Sequence, residues 1–311
     1  MKLRDIFVGS SLGTLVGDAF GASVEGWHPA SIRERYGLLE KPINGRYTDD
    51  TQMMIGIMEA IRSEPEPTQR EIAKRFLDNF DSSRGYGGRI FGVMKRIEAG
   101  IGADEVGTDS WGNGAAMRIA PIGCFFYDDR ERLVEHAVKS AEITHKHPIG
   151  VAGAVAQAAA VAFAVGAAAE GRKIEAARYV DDIAALVDAI SGEFSAALAP
   201  IKKFSASGID EAIDILVSNF TRDVSAIGAV PASISAFLLS KCFADAVIIA
   251  VNAGGDADTT GAMAGAIAGA YYGAGAIPLD WLEMMEKGKK GVTYVMDLAI
   301  KLTEMKVGRN P

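Results

Sequence analysis

Apolar residues recur at intervals of three and four along most of this 311-residue chain, which is the period of one face of an α-helix. The alternating apolar and polar residues of a half-buried strand are almost absent. The pattern therefore predicts an all-α protein. The clearest periodic segments are Met53–Ile61, Ile72–Phe80, Leu133–Ile143, Ala176–Ile190 and Ile234–Val251.

Short polar segments mark where helices end. Ser63–Thr68 predicts a loop between two helices, with Thr68 as the N-cap of the second helix, and Ser205–Gly208 predicts a similar break. No linker, charge block or low-complexity segment divides the chain. We therefore predict one domain spanning residues 1–311.

The longest apolar run is Val151–Ala169, which consists mostly of alanine and glycine and contains Gln157. Its summed hydrophobicity is weak, so we predict a buried core helix rather than a membrane span. Asp5 and Asp18 interrupt the apolar stretch at the start of the chain, which argues against a signal peptide. We expect a soluble protein with no membrane partner.

Composition narrows the choice of partner and compartment. The net charge is −8 and there is no basic run, so nucleic acid is not expected as a ligand. Cys124 and Cys242 are too few for a disulfide framework. We expect two buried thiols in a reducing, cytoplasmic compartment.

Two stripes of glycine are spaced by four residues, which places each stripe on nearly one face of a helix. A glycine costs about 0.5–1 kcal/mol against alanine inside a helix, so a stripe indicates close approach of another backbone. We expect the two helices to be central and to pack against each other, which would join the first and last thirds of the chain. The stripes are Gly9, Gly13, Gly17, Gly21 and Gly261, Gly265, Gly269, Gly273.

Paired carboxylates with neighbouring hydroxyls occur twice, in Tyr47–Thr51 and in Gly254–Thr260, each just ahead of a predicted helix; we place the start of the first helix near Gln52. Asp and Thr are common N-caps, but capping accounts for only one acid at each place. Four carboxylates brought together repel one another unless they are protonated or bridged by cations. Oxygen ligands of this kind suit a hard cation such as Mg²⁺ or Mn²⁺.

Other polar residues are ambiguous when taken singly. Glu25 follows the first glycine stripe and, taken by itself, is expected to be a solvated acid. Asp18 lies within the stripe and is expected to make structural hydrogen bonds. The glycine-rich turns Arg84–Gly88 and Ser110–Arg118 suit either plain turns or phosphate binding through backbone N–H groups. His145 is better explained as a single hydrogen-bonding group than as a zinc ligand.

Two motif matches are rejected on context. Gly9–Gly13 fits the nucleophile-elbow pattern, but no strands of an α/β sheet precede it. Asp256–Thr260 fits the Asp-x-Asp-x-Thr signature of haloacid-dehalogenase-type phosphatases, in which the motif ends an early strand, whereas here it is late and follows two glycines.

Seven short motifs, taken in order, resemble those of the ADP-ribosylglycohydrolase family. That resemblance implies a compact orthogonal helical bundle with a central cleft holding two Mg²⁺ ions, Mn²⁺ being an alternative. The motifs are Gly-Asp-Ala-Phe-Gly-Ala-Ser-Val-Glu at 17–25, Thr-Asp-Asp at 48–50, Arg-Gly-Tyr-Gly at 84–87, Gly-Asn-Gly-Ala-Ala-Met-Arg at 112–118, Thr-His at 144–145, Val-Pro at 230–231 and Gly-Gly-Asp-Ala-Asp-Thr at 254–259.

The resemblance also implies roles for individual residues. Glu25 matches the acid beside the scissile ribose, and Asp256 is a second catalytic candidate as well as a ligand. The implied metal ligands are Thr48, Asp49, Asp50, Asp256, Asp258 and Thr259. The implied contacts to ADP-ribose are Tyr86, Ser110, Trp111, Gly112, Asn113, Gly114 and His145, with Trp111 standing where the family often has Tyr.

The expected function is magnesium-dependent hydrolysis of the bond joining ADP-ribose to an acceptor, such as an ADP-ribosylated protein side chain. Two other functions stay open at this point. One is a non-catalytic module that only binds ADP-ribose. The presence of all six candidate metal ligands and of Glu25 argues against this alternative. The other is a Mg²⁺-dependent phosphohydrolase that forms an aspartyl phosphate on Asp256.

Overall fold

Helices account for nearly all of the regular structure. A computed structural model describes residues 1–308 of the chain. Within these residues there are no β-strands, only two isolated bridges, so the all-α prediction is confirmed. The α-helices are α1 (Leu3–Gly21), α2 (Pro29–Tyr36), α3 (Asp49–Ser63), α4 (Gln69–Asn79), α5 (Gly88–Glu98), α6 (Ala120–Phe125), α7 (Arg130–Glu142), α8 (Pro148–Glu170), α9 (Ala176–Val187), α10 (Gly192–Leu198), α11 (Ile209–Asn219), α12 (Ala226–Leu238), α13 (Phe243–Asn252), α14 (Ala257–Tyr272), α15 (Leu279–Met284) and α16 (Val292–Val307).

Local signals in the sequence explain several helix ends. The Thr68 hydroxyl accepts a hydrogen bond from Glu71 N at 3.2 Å and caps α4, as predicted. The periodic segment Ile234–Val251, in contrast, is two helices and not one. The chain leaves α12 after Leu238, and the Asp245 carboxylate accepts Lys241 N at 3.0 Å, which starts α13. Apolar periodicity continued across this polar break because both helices face the core.

The two glycine stripes meet, as expected, along antiparallel α1 and α14. A Cβ on Gly13 would lie 2.1 Å from the Gly265 carbonyl oxygen, and one on Gly17 would lie 2.0 Å from the Gly261 carbonyl oxygen. Only glycine permits this backbone contact. Gly273 departs from the stripe, because it lies past the end of α14 with a φ of 83°. The contact brings the end of α1 to the start of α14.

Helix α8 contains the predicted Val151–Ala169 core helix. It is the one helix in the described residues that is long and apolar enough to cross a membrane, but 83% of its most apolar window is buried inside the protein. Gln157, its polar interior residue, donates a hydrogen bond to the Met263 carbonyl oxygen at 3.0 Å. These features are those of a helix in a protein core.

The two thiols lie in different environments. Cys124 is buried within α6, as expected, and burial raises its pKa to about 12. Cys242 is exposed, so the prediction of two buried thiols is wrong for this residue. The cause is the break between α12 and α13, which places Cys242 at a helix start on the surface.

Candidate active site

Acidic residues from opposite ends of the chain meet where α1, α3 and α14 converge. Thr48 Oγ1 lies 3.2 Å from Asp50 Oδ2 and 3.5 Å from Asp258 Oδ2. Carboxylate oxygens of Glu25, Asp256 and Asp258 all lie within 4.8 Å of one another. The 48–50 and 256–258 segments, distant in sequence, therefore form one cluster.

Helix capping does not explain this cluster. Thr48 and Asp256 occupy the N-cap positions of α3 and α14, yet neither side chain accepts a capping hydrogen bond from a backbone N–H of its helix. Helix α3 begins at Asp49, three residues before the predicted start at Gln52, so its acids belong to the first helical turn. Their side chains point to the cluster and do not cap the helix, whose Thr51 N–H donates to the Asp18 carboxylate instead.

Asp18, near the end of α1, holds the first acidic segment in place. Its carboxylate accepts hydrogen bonds from Thr48 N and Thr48 Oγ1, both at 2.8 Å. It also accepts from Thr51 N at 3.0 Å and from Thr51 Oγ1. Burial raises the pKa of Asp18 to about 6, although these four donors act to lower it. The structural role expected for Asp18 is therefore observed.

The loop Ser110–Gly114 reaches the cluster through Asn113. The Asn113 amide donates a short hydrogen bond to Asp256 Oδ2, while Asn113 N donates to the Val224 carbonyl oxygen at 2.9 Å. Ala226 N donates to the Trp111 carbonyl oxygen at 3.0 Å. Pairing with residues 224–226 thus fixes the loop beside the acids.

The crowded carboxylates have strongly perturbed pKa values. Burial raises the pKa of Asp50 well above its ordinary value, and the charge of Asp258 raises it further. Burial and the charge of Asp18 raise the pKa of Asp49 to about 7. The pKa of Asp258 is raised by burial and by Asp256. Mutual repulsion in a buried space is relieved by protons or by bound cations.

The donor set fits a divalent cation. Asp50 Oδ1 is buried and has no hydrogen-bond partner within the described part of the chain, which leaves a lone pair free to ligate. All the side-chain atoms that could ligate a metal ion here are carboxylate or hydroxyl oxygens, the ligands that Mg²⁺ and Mn²⁺ prefer. Glu25 adds a further oxygen to those predicted as ligands. The residues that could hold the ions are Glu25, Thr48, Asp49, Asp50, Asp256, Asp258 and Thr259.

The acidic cluster forms one end of a cavity of about 440 Å³, large enough for a nucleotide-sized ligand. Trp111 is 47% exposed at its wall, and the structure brings nearly all the predicted site residues to this one space. The predicted residues that line it are Glu25, Asp49, Asp50, Ser110, Trp111, Gly112, Asn113, Gly114, His145, Asp256, Asp258 and Thr259.

Tyr86 is predicted to contact substrate, but it does not line the cavity. Its side chain is buried, its hydroxyl donates to Gln52 Oε1 at 2.8 Å, and its ring packs against Phe80. The neighbouring glycines of the same turn, Gly85 and Gly87, do line the cavity. The structure therefore gives Tyr86 the position of a residue that supports this turn from behind.

His145 lines the cavity as a neutral group. Burial and the nearby charge of Arg118 lower its pKa to about 3, and its Nδ1 lies 2.7 Å from the Thr144 hydroxyl. Arg118 is fully buried and donates to the carbonyl oxygens of Gly114 and Ser140 and to Thr144 Oγ1. Arg118 thus supports both the loop and the histidine, and His145 offers a hydrogen bond without charge.

Several cavity residues were not predicted from the sequence. Asp223 and Val224 come from the segment that pairs with the Ser110–Gly114 loop, and Arg89 and Ile90 come from the start of α5. Arg89 directly follows the glycine-rich turn Arg84–Gly88, and this turn is the only feature of the sequence that indicates a site near Arg89. Nothing local marks Asp223 or Val224, because their position depends on pairing with a distant loop.

Comparisons with known proteins point to one family. The family model described as ADP-ribosylglycohydrolase matches residues 1–310. ADP-ribosylhydrolase ARH3 of Gallus gallus is 31% identical, over 90% of this chain and 89% of its own length. The ADP-ribosyl-dinitrogen reductase glycohydrolase of Rhodospirillum rubrum is 28% identical over 92% of each chain. A solved ADP-ribosylglycohydrolase-related protein complex superposes with a TM-score of 0.73 at 26% identity, covering 98% of this chain and 99% of that one.

Proposed function

The chain belongs to the ADP-ribosylglycohydrolase family and is an enzyme that hydrolyses ADP-ribose linkages, and from this premise we propose that its reaction depends on magnesium. The substrate that we propose is an ADP-ribosyl group joined by a glycosidic bond to an acceptor such as a protein side chain. The observation that carries this proposal is the meeting of Thr48 and Asp50 with Asp258 at one end of the cavity.

The acidic end of the cavity would hold two Mg²⁺ ions, or Mn²⁺, through Thr48, Asp49 and Asp50 on one side and Asp256, Asp258 and Thr259 on the other. Bound there, the ions would supply positive charge beside the ribose hydroxyls and the attacking water. The unpartnered Asp50 Oδ1 and the raised pKa values of the buried acids support this assignment.

Two carboxyl groups would move protons during hydrolysis. In the reaction, water adds to the anomeric carbon, the bond to the acceptor breaks and the acceptor leaves with a proton. Partial burial and the charge of Asp256 raise the pKa of Glu25, so this carboxyl group holds a proton more readily than a free glutamate does. Asp256 is held by the Asn113 amide and is the second candidate.

The remaining cavity residues would bind the ADP-ribose itself. The Ser110–Gly114 loop would lie beside the phosphates, and Trp111, half exposed at the wall, offers a stacking face. His145 is neutral and would donate or accept one hydrogen bond without adding charge. These residues orient the substrate so that its distal ribose reaches the acids.

A Mg²⁺-supplemented assay that measures ADP-ribose released from differently linked substrates tests this function. We use substrates linked through serine, arginine and an acetyl group, and expect release from at least one of them. Treatment with EDTA should abolish turnover, and added Mg²⁺ should restore it. Full activity after EDTA treatment would show that the proposed metal dependence is wrong.

A further inference from the structure

The cavity is acidic at one end and has few cations along the rest of its wall. Glu25, Asp49, Asp50, Asp256 and Asp258 make up the acidic end. A substrate that carries a diphosphate brings two negative charges into the same space. Those charges need donors or cations away from the carboxylates, because like charges in a partly desolvated cavity repel strongly.

Only two cationic side chains line the cavity among residues 1–308, those of Arg89 and Arg118. Arg118 is fully buried and committed to the carbonyl oxygens of Gly114 and Ser140 and to the Thr144 hydroxyl. Its guanidinium also stacks over the Phe76 ring at 4.6 Å. Arg118 therefore acts as a structural support and has little freedom to follow a ligand.

Arg89 is different, because its side chain is exposed and makes no hydrogen bond or ion pair within the part of the chain that the structure describes. It is the second residue of α5, where the positive end of the helix makes a cation unfavourable. Arginine at this position therefore does not stabilise the α5 helix. An anion bound at this place would be attracted both by the guanidinium and by the positive end of the α5 helix.

The surroundings leave room for such an anion. Gly87 and Gly88, which precede Arg89, have open space where a side chain would stand, and Gly85, Gly87 and Gly88 all line the cavity. The charge of Arg89 is also close enough to His145 to contribute to lowering its pKa, after burial and Arg118. Arg89 and His145 therefore line the same cavity.

We propose that Arg89 binds the diphosphate of the ADP-ribosyl substrate and thereby fixes its direction in the cavity, with the distal ribose at the acidic end. This inference rests on the proposed function and adds to it a substrate-binding residue. Arg89 acts on binding and takes no part in bond cleavage, because it belongs to the wall and not to the acidic cluster.

The test compares Arg89→Gln with Lys95→Gln, which removes the same charge from an exposed residue of α5 that does not line the cavity. Calorimetry with ADP-ribose, in Mg²⁺ and over a range of NaCl concentrations, should show about tenfold weaker binding for Arg89→Gln. Its affinity should also depend less steeply on salt. Lys95→Gln should bind like the wild type, and Arg89→Lys should retain most of the affinity.

Kinetics give a second readout. Arg89→Gln should raise KM for the hydrolysed substrate and leave kcat nearly unchanged, since the contact is made in the ground state and the transition state alike. Unchanged affinity and salt dependence in Arg89→Gln, with a wild type that binds and hydrolyses normally, would overturn this inference alone. A wild type that binds no ADP-ribose would overturn the proposed function as well.

Discussion

At the scale of single residues, Asp18 connects the fold to the chemistry. It comes from α1, one of the two glycine-striped helices, and accepts four hydrogen bonds from Thr48 and Thr51, which flank Asp49 and Asp50 in the chain. A residue that orients ligands in this way tunes the affinity of a site without touching the ion. The position of the acids on α3 therefore depends on a carboxylate that is not a predicted ligand.

We predict that Asp18→Asn raises the Mg²⁺ concentration needed for half-maximal activity by about 10-fold to 100-fold. The amide has one accepting oxygen, so its NH₂ group would face the donors of either Thr48 or Thr51. Activity measured against Mg²⁺ concentration checks this. Asp5→Asn, at the other end of α1, is the control and should behave as the wild type. An unaltered Mg²⁺ requirement in Asp18→Asn would show that Asp18 does not orient the metal ligands of α3.

Single residues also show how far sequence reasoning reaches into the site. The acids could be predicted, because two carboxylates beside a hydroxyl, twice in one chain, exceed what helix capping needs. The motif predicts that Tyr86 contacts the ligand, whereas its side chain does not line the cavity, because a motif gives residue order but not the direction of a side chain. The sequence does not mark Arg89 or Asp223 as site residues, because exposed charged residues are common all over a protein surface.

At the scale of elements, the pairing of α1 with α14 sets the geometry of the site. Gly13 and Gly17 allow the two backbones to touch at Gly265 and Gly261. Because the helices are antiparallel, Asp18 is carried to the start of α14, where Asp256 and Asp258 lie. The four-residue spacing of the glycines predicts both the pairing of the two helices and their close approach.

We predict that Gly13→Ala lowers the free energy of unfolding by about 1–3 kcal/mol or more, because its Cβ would collide with the Gly265 carbonyl oxygen. Gly166→Ala in α8 is the matched control, since the position is helical and a Cβ there meets nothing within 4 Å. That control should be more stable than the wild type by about 0.5–1 kcal/mol. Chemical denaturation measures both, and equal effects would contradict the proposed close packing.

Helix boundaries were predicted less well than the helices themselves. The segment Ile234–Val251 has apolar residues with helical spacing throughout, yet the chain turns between α12 and α13. Both helices bury a face in the core, so periodicity alone could not separate them. Ser240 and Lys241 are the polar residues at the break, and the exposure of Cys242 follows from the same turn.

At the scale of the whole molecule, the fold brings acids together from residues that are more than 200 positions apart in sequence. Such a cluster is costly without counter-charge, because burial and mutual repulsion both oppose ionisation. The cavity beside it combines an acidic end, a neutral histidine and an exposed arginine. This distribution of charge suits a ligand that carries hydroxyl groups at one end and phosphates in its middle.

The central claim is that the two acidic segments form one divalent-cation site. Calorimetric titration of Mg²⁺ into the wild type, Asp50→Asn and Asp258→Asn tests it most directly. We predict that each substitution alone weakens Mg²⁺ binding by at least about tenfold, because each removes a charged ligand from the same site. If one of the variants binds Mg²⁺ like the wild type while the other loses binding, the two segments do not share the ions and the claim is wrong.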